Sequence, residues 1–281
     1  METPPPGRLF LVPVPLGNVG DLAPRSREIL ETVPVLFCED TRTTSRLLAK
    51  LELASPTLVA LHDHNERQRV QPLLDRLERG DVGIVSEAGT PVLSDPGFVA
   101  VRAAIEAGYE IVSVPGPSAA VAAVVGSGLP VDRFLFVGFP PRQPGKRRTW
   151  VGDLRRVSAT LVFYEAPRRI VDLLGDLEAE CGDRPAALAI NLSKLGERFV
   201  RGTVSEIARV LGAEDEVRGE MTLVVAGFEG DEAAGLWERA DAVIATLLDA
   251  GTPAGAVRDA VCAALDLPRR EVYQRILDRR Y

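Results

Sequence analysis

The chain up to Val114 alternates short apolar runs with amphipathic helical patterns, and this alternation restricts its possible folds more than any other feature. Runs rich in Val, Ile and Leu between polar or glycine-containing turns predict strands, and apolar residues at helical spacing predict the helices between them. Such alternation is typical of a mostly parallel sheet with helices on both faces. The predicted strands are Leu9–Val14, Val33–Cys38, Thr57–Leu61, Val82–Ser86 and Glu110–Val114, and the predicted helices are Arg25–Glu31, Thr43–Leu51, Arg67–Arg79 and Gly97–Ala107.

A second α/β unit and a small helical segment are predicted to follow. The polar, glycine-bearing stretch Gly227–Ala234 indicates a linker, and three short helical patterns come after it. We therefore predict an α/β fold with two α/β domains, residues 7–116 and 117–229, and a helical appendage over residues 234–281. The strands of the second domain are predicted at Phe134–Gly138, Thr160–Tyr164, Ala186–Asn191, Phe199–Gly202 and Met221–Ala226, with helices at Ile170–Glu180 and Val204–Leu211.

The composition excludes several classes of protein. A length of 281 residues suits two domains, and no apolar run approaches the roughly 20 residues of a membrane helix. The three cysteines are odd in number and widely spaced, so neither a disulfide framework nor a zinc site fits. The first predicted strand is not followed by Gly-x-Gly-x-x-Gly, and there is no Walker loop, which disfavours dinucleotide and nucleoside triphosphate sites. We expect a cytoplasmic protein with no membrane association and no bound metal.

The charge of the chain is unevenly distributed. The net charge of −7 disfavours a protein that coats nucleic acid non-specifically. The stretch Arg142–Arg169, the basic segment, nevertheless has eight cations against two carboxylates, a net charge of +6. This pattern indicates either a local contact with a polyanion or a solvated helix face, and the charges alone do not separate the two.

Glycine, proline and polar residues are concentrated directly after the predicted strands, where open parallel sheets bind their ligands. The Ser86–Gly97 loop has two glycines, two prolines and five polar side chains in twelve residues. Its prolines rigidify the backbone and its glycines allow close approach, a combination that predicts contact with a polar small molecule. Pro15–Asn18 and Pro115–Ser118 follow two other strands. A plain turn explains the first equally well, and ordinary helix capping by Ser118 explains the second.

Taken together, these segments resemble the tetrapyrrole-methylase family, and within it the branch of bacterial enzymes that 2′-O-methylate a cytidine of 16S ribosomal RNA. The resemblance extends from about Gly7 to Tyr281. It rests on Pro15–Asn18 with Asp21 and Arg25, Glu39–Arg42, Ala88–Pro91, Ser94–Gly97, Pro115–Ala119, Ser127–Pro130, Gly138–Pro141, Tyr164–Arg169, Lys194, Glu197, Gly219–Glu220 and Val272–Tyr273.

The resemblance implies two α/β domains of the class III methyltransferase type, S-adenosylmethionine in the cleft between them, 16S ribosomal RNA of the small subunit as substrate, and a homodimer. It assigns cofactor binding to Pro15, Gly17, Glu87, Gly89, Thr90, Pro91, Leu93, Pro115, Ser118, Ala119 and Tyr164. Candidate groups for orienting the ribose hydroxyl, taking its proton or holding a phosphate are Glu39, Asp40, Arg42, Glu165, Lys194 and Glu197. Candidate RNA-binding residues are Lys146, Arg147, Arg148, Arg168 and Arg169. For each charged residue a structural ion pair is the alternative.

Two other functions remain open from the sequence. A methyltransferase acting on a corrinoid precursor would usually have a longer glycine-rich loop in place of Pro15–Asn18, and the basic segment suits RNA better than a free macrocycle. The second function is that of an RNA-binding homologue with impaired catalysis. This hypothesis rests on the departures of the chain from the family pattern at Val14, Glu87, Arg168 and in the segment Asn191–Glu197.

Overall fold

The apolar runs of the first part form one parallel sheet. The computed structural model describes residues 7–230 and 232–279. The sheet has the order β3-β2-β4-β1-β5, and each neighbouring pair of strands is parallel, as predicted. The strands are β1 (Leu9–Leu11), β2 (Val35–Cys38), β3 (Thr57–Ala60), β4 (Val82–Val85) and β5 (Ile111–Ser113).

Helices cover both faces of this sheet, which confirms the α/β prediction. The helices are α1 (Pro24–Thr32), α2 (Thr41–Lys50), α3 (Glu66–Leu77) and α4 (Phe98–Glu106). Alternate side chains of a strand point to opposite faces. Phe10 and Leu36 accordingly belong to a core with Leu30 and Leu48 of α1 and α2. The neighbouring residues Leu9, Val35 and Phe37 belong to a separate core with Leu73, Leu77, Ala100 and Ala104 of α3 and α4.

The first strand is shorter than predicted because of a proline. β1 ends at Leu11, whereas the sequence predicts a strand to Val14. Pro13 has no N–H group to donate to a ladder. Val12 still donates its N–H to the Ile84 carbonyl at 2.9 Å, and Val14 forms an isolated bridge with Gly89.

The second sheet is mixed and has the order β6-β7-β10-β8-β9. Only β6 and β7 are parallel, and the other pairs are antiparallel. Helix α5 (Ala119–Ser127) packs Ala120, Ala123 and Val124 against one face of the sheet, while α8 (Val204–Gly212) lies against β8 and β9 and packs on α7 (Pro167–Cys181). The strands are β6 (Phe134–Gly138), β7 (Thr160–Glu165), β8 (Pro185–Ile190), β9 (Arg198–Thr203) and β10 (Met221–Val225).

The remaining helices include one that the sequence does not predict. Helix α6 (Pro144–Asp153) lies within the basic segment. At the carboxyl end of the chain are α9 (Glu232–Asp249), α10 (Ala254–Leu265) and α11 (Arg269–Asp278). The predicted linker Gly227–Ala234 is too long, because α9 already begins at Glu232. None of the helices in the described residues combines the length and apolarity needed to cross a membrane.

The chain divides into two compact units. The first comprises the described residues up to Gly152 together with Thr160–Ala226, and it contains both sheets. The second comprises Asp153–Ala159 and the described residues from Gly227 onward. Ala240 and Ile244 of α9, Val257 and Val261 of α10 and Val272 of α11 form the core of the second unit.

Candidate active-site cleft

The first unit contains a cleft of about 620 Å³ at the carboxyl ends of the parallel strands. Loops after β1, β2 and β4 and the start of α5 provide one wall. Residues of the second sheet and its loops provide the other. The cleft is lined by Leu16, Glu39, Thr43, Glu87, Ala88, Gly89, Thr90, Leu93, Ser94, Asp95, Ser118, Ala119, Phe139, Tyr164, Glu165, Ala166, Pro167, Leu192, Lys194, Gly219, Glu220, Met221 and Thr222.

Most residues expected to bind a cofactor meet in this lining. They are Glu87, Gly89, Thr90, Leu93, Ser118, Ala119 and Tyr164. Within the described residues, the cleft lining does not include the other four expected residues, Pro15, Gly17, Pro91 and Pro115. Gly17 has a packing role instead: a Cβ there would lie 2.2 Å from the Lys194 Cγ and 2.9 Å from the Ser193 carbonyl oxygen, so only glycine allows the opposite loop to come this close.

Hydrogen bonds from three other segments hold the Ser86–Gly97 loop. Gly89 and Val14 exchange both backbone hydrogen bonds, at 2.9 and 3.0 Å. The Thr90 hydroxyl donates to the Pro117 carbonyl at 2.8 Å. At the end of the loop, the Glu66 carboxylate accepts from the Gly97 and Val99 N–H groups at 2.9 and 2.7 Å. The loop is therefore held in place by contacts within the protein itself.

The loop holds this shape against local backbone strain. Val92 and Ser94 have φ values of 74° and 67°, in the left-handed region that disfavours side chains and is most unfavourable for a β-branched residue. Gly89 shares that region with a φ of 75°, and a Cβ there would lie 3.0 Å from the Leu16 Cδ2. Its missing side chain leaves the backbone open to a ligand.

Three carboxylates converge on the first wall. Glu39 follows β2, and Glu87 and Asp95 lie in the Ser86–Gly97 loop after the neighbouring strand β4. Burial, and then the negative charges of Asp95, Glu87, Asp63 and Asp40, raise the pKa of Glu39 from its ordinary value of 4.5 to about 7. Burial, together with the charges of Glu87 and Asp63, raises the pKa of Asp95 to about 6. The cleft therefore has a carboxyl group that is partly protonated at neutral pH.

Asp40 and Arg42, two of the expected catalytic residues, lie at the start of α2 and not in the cleft lining. The Asp40 carboxylate accepts from the Arg42 and Thr43 N–H groups at 2.7 and 3.3 Å, so it caps the N-terminus of α2. These hydrogen bonds lower the pKa of Asp40. The Arg42 side chain is 84% exposed, and both residues lie outside the cleft lining. Asp40 therefore caps the helix, and Arg42 forms with it, at 3.7 Å, the structural ion pair that the sequence left open as the alternative.

The other expected catalytic residues have partners within the chain. Glu165 lines the cleft, but its side chain is buried against the Arg169 guanidinium at 2.9 Å, and burial raises its pKa. The Lys194 ammonium, also in the lining, pairs with Glu220. Glu197 accepts from the Ser193 N–H at 2.9 Å and lines a smaller cavity of about 370 Å³ that shares Leu16, Ser118 and Leu192 with the cleft. Burial and neighbouring acids raise the pKa of Glu39, whereas the charges of Arg169 and Arg147 oppose the rise at Glu165, so Glu39 is the better candidate base.

The basic segment contains both buried and exposed cations. Arg147 is buried and donates from Nε to the Asp176 carboxylate of α7 at 2.7 Å, so it cannot contact RNA as expected. Arg169 is 17% exposed and also donates to the Pro140 carbonyl at 2.7 Å, which makes it a structural residue. Arg148 is 65% exposed but pairs with Asp176 at 3.3 Å. Lys146 and Arg168 are exposed, as is Arg142.

The sequence model of the tetrapyrrole (corrin/porphyrin) methylases matches residues 8–208 of the chain. The chain belongs to the tetrapyrrole methylase family. Three similar relatives are named ribosomal RNA small subunit methyltransferase I. That of Micromonospora olivasterospora is 46% identical over 96% of this chain and 86% of its own. That of Xylella fastidiosa is 41% identical over 95% and 98% of the two chains, and that of Synechocystis 37% identical over 97% and 98%.

Solved structures of tetrapyrrole methylases have the same fold. Uroporphyrin-III C-methyltransferase from Thermus thermophilus, in complex with S-adenosyl homocysteine, has a TM-score of 0.53 at 23% identity over 78% of this chain and 97% of that chain. The cobalt precorrin-4 methyltransferase has a TM-score of 0.58 at 16% identity, with 78% and 94% coverage. The identification of the family from the sequence motifs is therefore confirmed, together with the α/β fold class.

Several lining residues of this tetrapyrrole methylase were not expected to form a site. Thr43 belongs to no motif, Leu192 lies in the segment that departs from the family pattern, and Met221 and Thr222 begin a strand whose sequence is typical of a core strand. Leu16, Asp95 and Glu220 belong to segments that carry the family resemblance, but no role was assigned to them. The role of Asp95 could have been predicted from the pairing of β2 with β4, because the loops that follow two paired parallel strands are neighbours.

Proposed function

We propose that the chain transfers a methyl group from S-adenosylmethionine to the ribose 2′-oxygen of a cytidine in 16S ribosomal RNA of the small subunit. The observation that carries this proposal is the cleft, where the Ser86–Gly97 loop faces the second sheet and a carboxyl group with a pKa of about 7, that of Glu39, lies on the first wall. The names of the relatives support the RNA substrate, and this chain matches 98% of the length of two of the three relatives.

The residues of the cleft suit S-adenosylmethionine. A cleft of about 620 Å³ lies within the range of about 300–1,000 Å³ that is typical of small-molecule sites. Leu16, Leu93 and Met221 offer apolar surface, and the open backbone at Gly89 allows close approach. The carboxylates of the first wall favour a ligand with ammonium and sulfonium charges. When bound, the cofactor supplies an electrophilic methyl group whose leaving group is a neutral thioether.

The protein side of the reaction is positioning and removal of one proton. The ordered loop and the wall opposite it hold the two reactants in line, and such alignment supplies much of the rate acceleration. Glu39 is the residue proposed to accept the 2′-hydroxyl proton. A pKa of about 7 keeps part of this carboxyl group ionised at neutral pH and still basic enough to take a proton. Asp95 and Glu87 act through Glu39, since their charges help to raise its pKa.

Exposed cations of the basic segment are proposed to hold the RNA backbone. Arg142, Lys146 and Arg168 are exposed, and Arg168 directly follows the lining residues Ala166 and Pro167. Phosphate contacts fix the register of a nucleic acid without reading its sequence. This arrangement supports an RNA path that leads across these cations into the cleft.

Two further properties belong to the proposal. A homodimer is supported by the exposed apolar side chains of Val121 and Val125 on α5 and of Phe134 on the edge strand β6, since such surface is often covered by a second copy. Sedimentation equilibrium across a range of concentrations tests it, and a monomer at micromolar concentration would contradict it. Because the proposed substrate is the small ribosomal subunit, the cytoplasm is the proposed location.

Methyl transfer from labelled S-adenosylmethionine to undermethylated small ribosomal subunits tests the proposed function. The expected result is one labelled nucleotide in 16S RNA that resists alkaline hydrolysis on its 3′ side, because a 2′-O-methyl group blocks that cleavage. Calorimetry with S-adenosylhomocysteine tests the cofactor separately. Binding without transfer would favour an RNA-binding homologue with impaired catalysis, and transfer to a corrinoid precursor alone would favour the other alternative.

A further inference from the structure

Phe139 lies at the mouth of the cleft with its side chain largely in solvent. It follows β6 directly, lines the cleft and is 57% exposed. A single exposed aromatic residue is common on protein surfaces and needs no explanation by itself. What singles out Phe139 is how firmly the backbone on both sides of it is fixed.

The backbone before Phe139 is irregular in a specific way. The register of β6 against β7 shifts between Phe136 and Gly138, and a break in strand pairing of this kind redirects the side chains that follow it. Gly138 has a φ of 69°, and a Cβ there would lie 3.3 Å from the Ser94 hydroxyl of the opposite wall. Glycine therefore allows both the turn and the close approach of the two walls.

The backbone after Phe139 is anchored by a largely buried cation. Arg169 donates to the Pro140 and Pro141 carbonyls at 2.7 and 3.2 Å, and its guanidinium also pairs with Glu165. The two prolines restrict the chain further. Phe139 thus lies between two fixed points, and its position loses little entropy when a ligand binds.

The ring of Phe139 is oriented but not covered. It contacts the Tyr164 ring at a centroid distance of 5.5 Å and an interplanar angle of 58°, which is a tilted contact and not a parallel stack. Tyr164 is itself fixed, because its hydroxyl accepts from the Ala120 N–H at 3.1 Å and its ring contacts Phe136 at 4.9 Å. A planar group can therefore stack on Phe139 from the solvent side.

Exposed cations that lie near Phe139 in the chain indicate which kind of planar group it binds. Arg142 and Lys146 follow it in the chain and are exposed, and the exposed Arg168 lies next to the Arg169 that anchors the Phe139 segment. A fixed aromatic ring beside cations is the arrangement with which proteins bind single-stranded nucleic acid. We propose that Phe139 stacks on the base of the nucleotide to be methylated and so positions its ribose in the cleft. This inference rests on the proposed function.

The proposal explains how a nucleotide could enter the cleft. A ribose that enters a cleft must leave the stack of its neighbours, and the lost stacking has to be offset by the protein. Phe139 offers that replacement at the cleft mouth, while the cations hold the phosphates. Stacking on an aromatic face is tolerant of base identity, so Phe139 affects affinity and alignment more than sequence choice.

The test compares Phe139→Ala, Phe139→Leu and Phe139→Tyr in methyl transfer to undermethylated small subunits. Loss of one stacked base predicts that kcat/KM for RNA falls about tenfold or more in the alanine variant. The leucine variant should be equally impaired, because it keeps apolar surface without a π face, and the tyrosine variant should stay close to the parent. Phe98→Ala is the matched control, since Phe98 is 64% exposed on α4 and lies outside the cleft lining.

Binding of S-adenosylhomocysteine, measured by calorimetry, should be the same in all four variants as in the parent. An active parent with normal kcat/KM in Phe139→Ala would overturn the stacking role and leave the proposed function intact. Weaker S-adenosylhomocysteine binding in Phe139→Ala would also overturn it, because Phe139 would then belong to the cofactor wall. Full activity of Phe139→Leu would contradict stacking, because it would show that apolar contact alone is sufficient at this position. A parent that methylates no small-subunit RNA would instead reject the proposed function.

Discussion

Replacing Arg147 with methionine would remove the cation of an ion pair that is almost completely buried. The Arg147 and Asp176 side chains are 5% and 7% exposed, and their Nε and Oδ2 atoms are 2.7 Å apart. Methionine keeps the apolar part of the side chain, so the loss is mainly electrostatic. The Asp176 carboxylate would stay buried with a weaker partner, since Arg148 is 65% exposed and 3.3 Å away.

The size of the effect follows from that geometry. Breaking a buried ion pair by removing one partner typically costs about 3–5 kcal/mol, because it leaves an uncompensated charge. The remaining contact with Arg148 favours the lower end, about 3 kcal/mol. At about 2–4 °C per kcal/mol for a chain of this size, the melting temperature should fall by about 6–12 °C.

Urea and thermal unfolding, followed by circular dichroism, measure the change. The double variant Arg147→Met with Asp176→Leu should recover much of the loss, because it removes the stranded carboxylate together with its partner. Lys146→Met is the control, since Lys146 is an exposed cation on the same helix. An Arg147→Met variant with unchanged stability but weaker RNA binding would refute the buried pairing and restore the RNA-binding role expected from the sequence.

Three further predictions concern the carboxylates and the exposed cations. Glu39→Gln should abolish methyl transfer, and in the parent kcat/KM should rise with pH to a plateau above about 7, the pKa of Glu39. Because that pKa is raised on folding, the protonated form stabilises the protein at low pH and this stability is lost as pH rises through 7, so Glu39→Gln should raise the melting temperature more at pH 8 than at pH 5. Asp40→Ala should lower the melting temperature because it removes the cap of α2, whereas Asp40→Asn should preserve the cap and the melting temperature. Both variants should retain methyl transfer. A strong loss of activity in Asp40→Asn without a loss of stability would instead support a catalytic role for Asp40. The double variant Lys146→Ala with Arg168→Ala should reduce the slope of log affinity against log salt by about 0.7 for each lost phosphate contact, and an unchanged slope would make these cations a solvated face.

The elements of the first sheet could be predicted because each is specified locally. Strands β2 to β5 begin and end within two residues of their apolar runs, and Pro13 explains the early end of β1. Helix α6 could not be predicted in the same way. Its buried face consists of Arg147 and Val151, and the sequence pattern predicts a surface position for an arginine unless its ion-pair partner is known. That partner, Asp176, lies 29 residues away, so the burial of Arg147 is a tertiary effect.

The site could be predicted to the level of loops but not of contacts. The density of glycine and proline in the Ser86–Gly97 loop points to the cleft, and Gly89, Thr90 and Leu93 line it. The carboxylate of Glu66, however, caps α4 from 31 residues away, and no local pattern indicates this. Nor does the pair Glu39–Asp40 reveal which acid faces the cleft. Only the course of the backbone into α2 directs Asp40 to the helix N-terminus and Glu39 to the ligand side.

The order of strands in the second sheet has a consequence for synthesis of the chain. β10 is the last strand in sequence but the central one in space, and Met221 pairs with both Glu165 of β7 and Ile190 of β8. Until β10 leaves the ribosome, the pairs β6-β7 and β8-β9 have no strand between them. At the usual rate of synthesis, the stretch from Glu165 to Val225 takes several seconds, on the order of three to twelve. The β6-β7 pair of a nascent chain therefore lacks its central strand for that time, and the chain cannot capture its cofactor until Met221 and Thr222 have completed the wall.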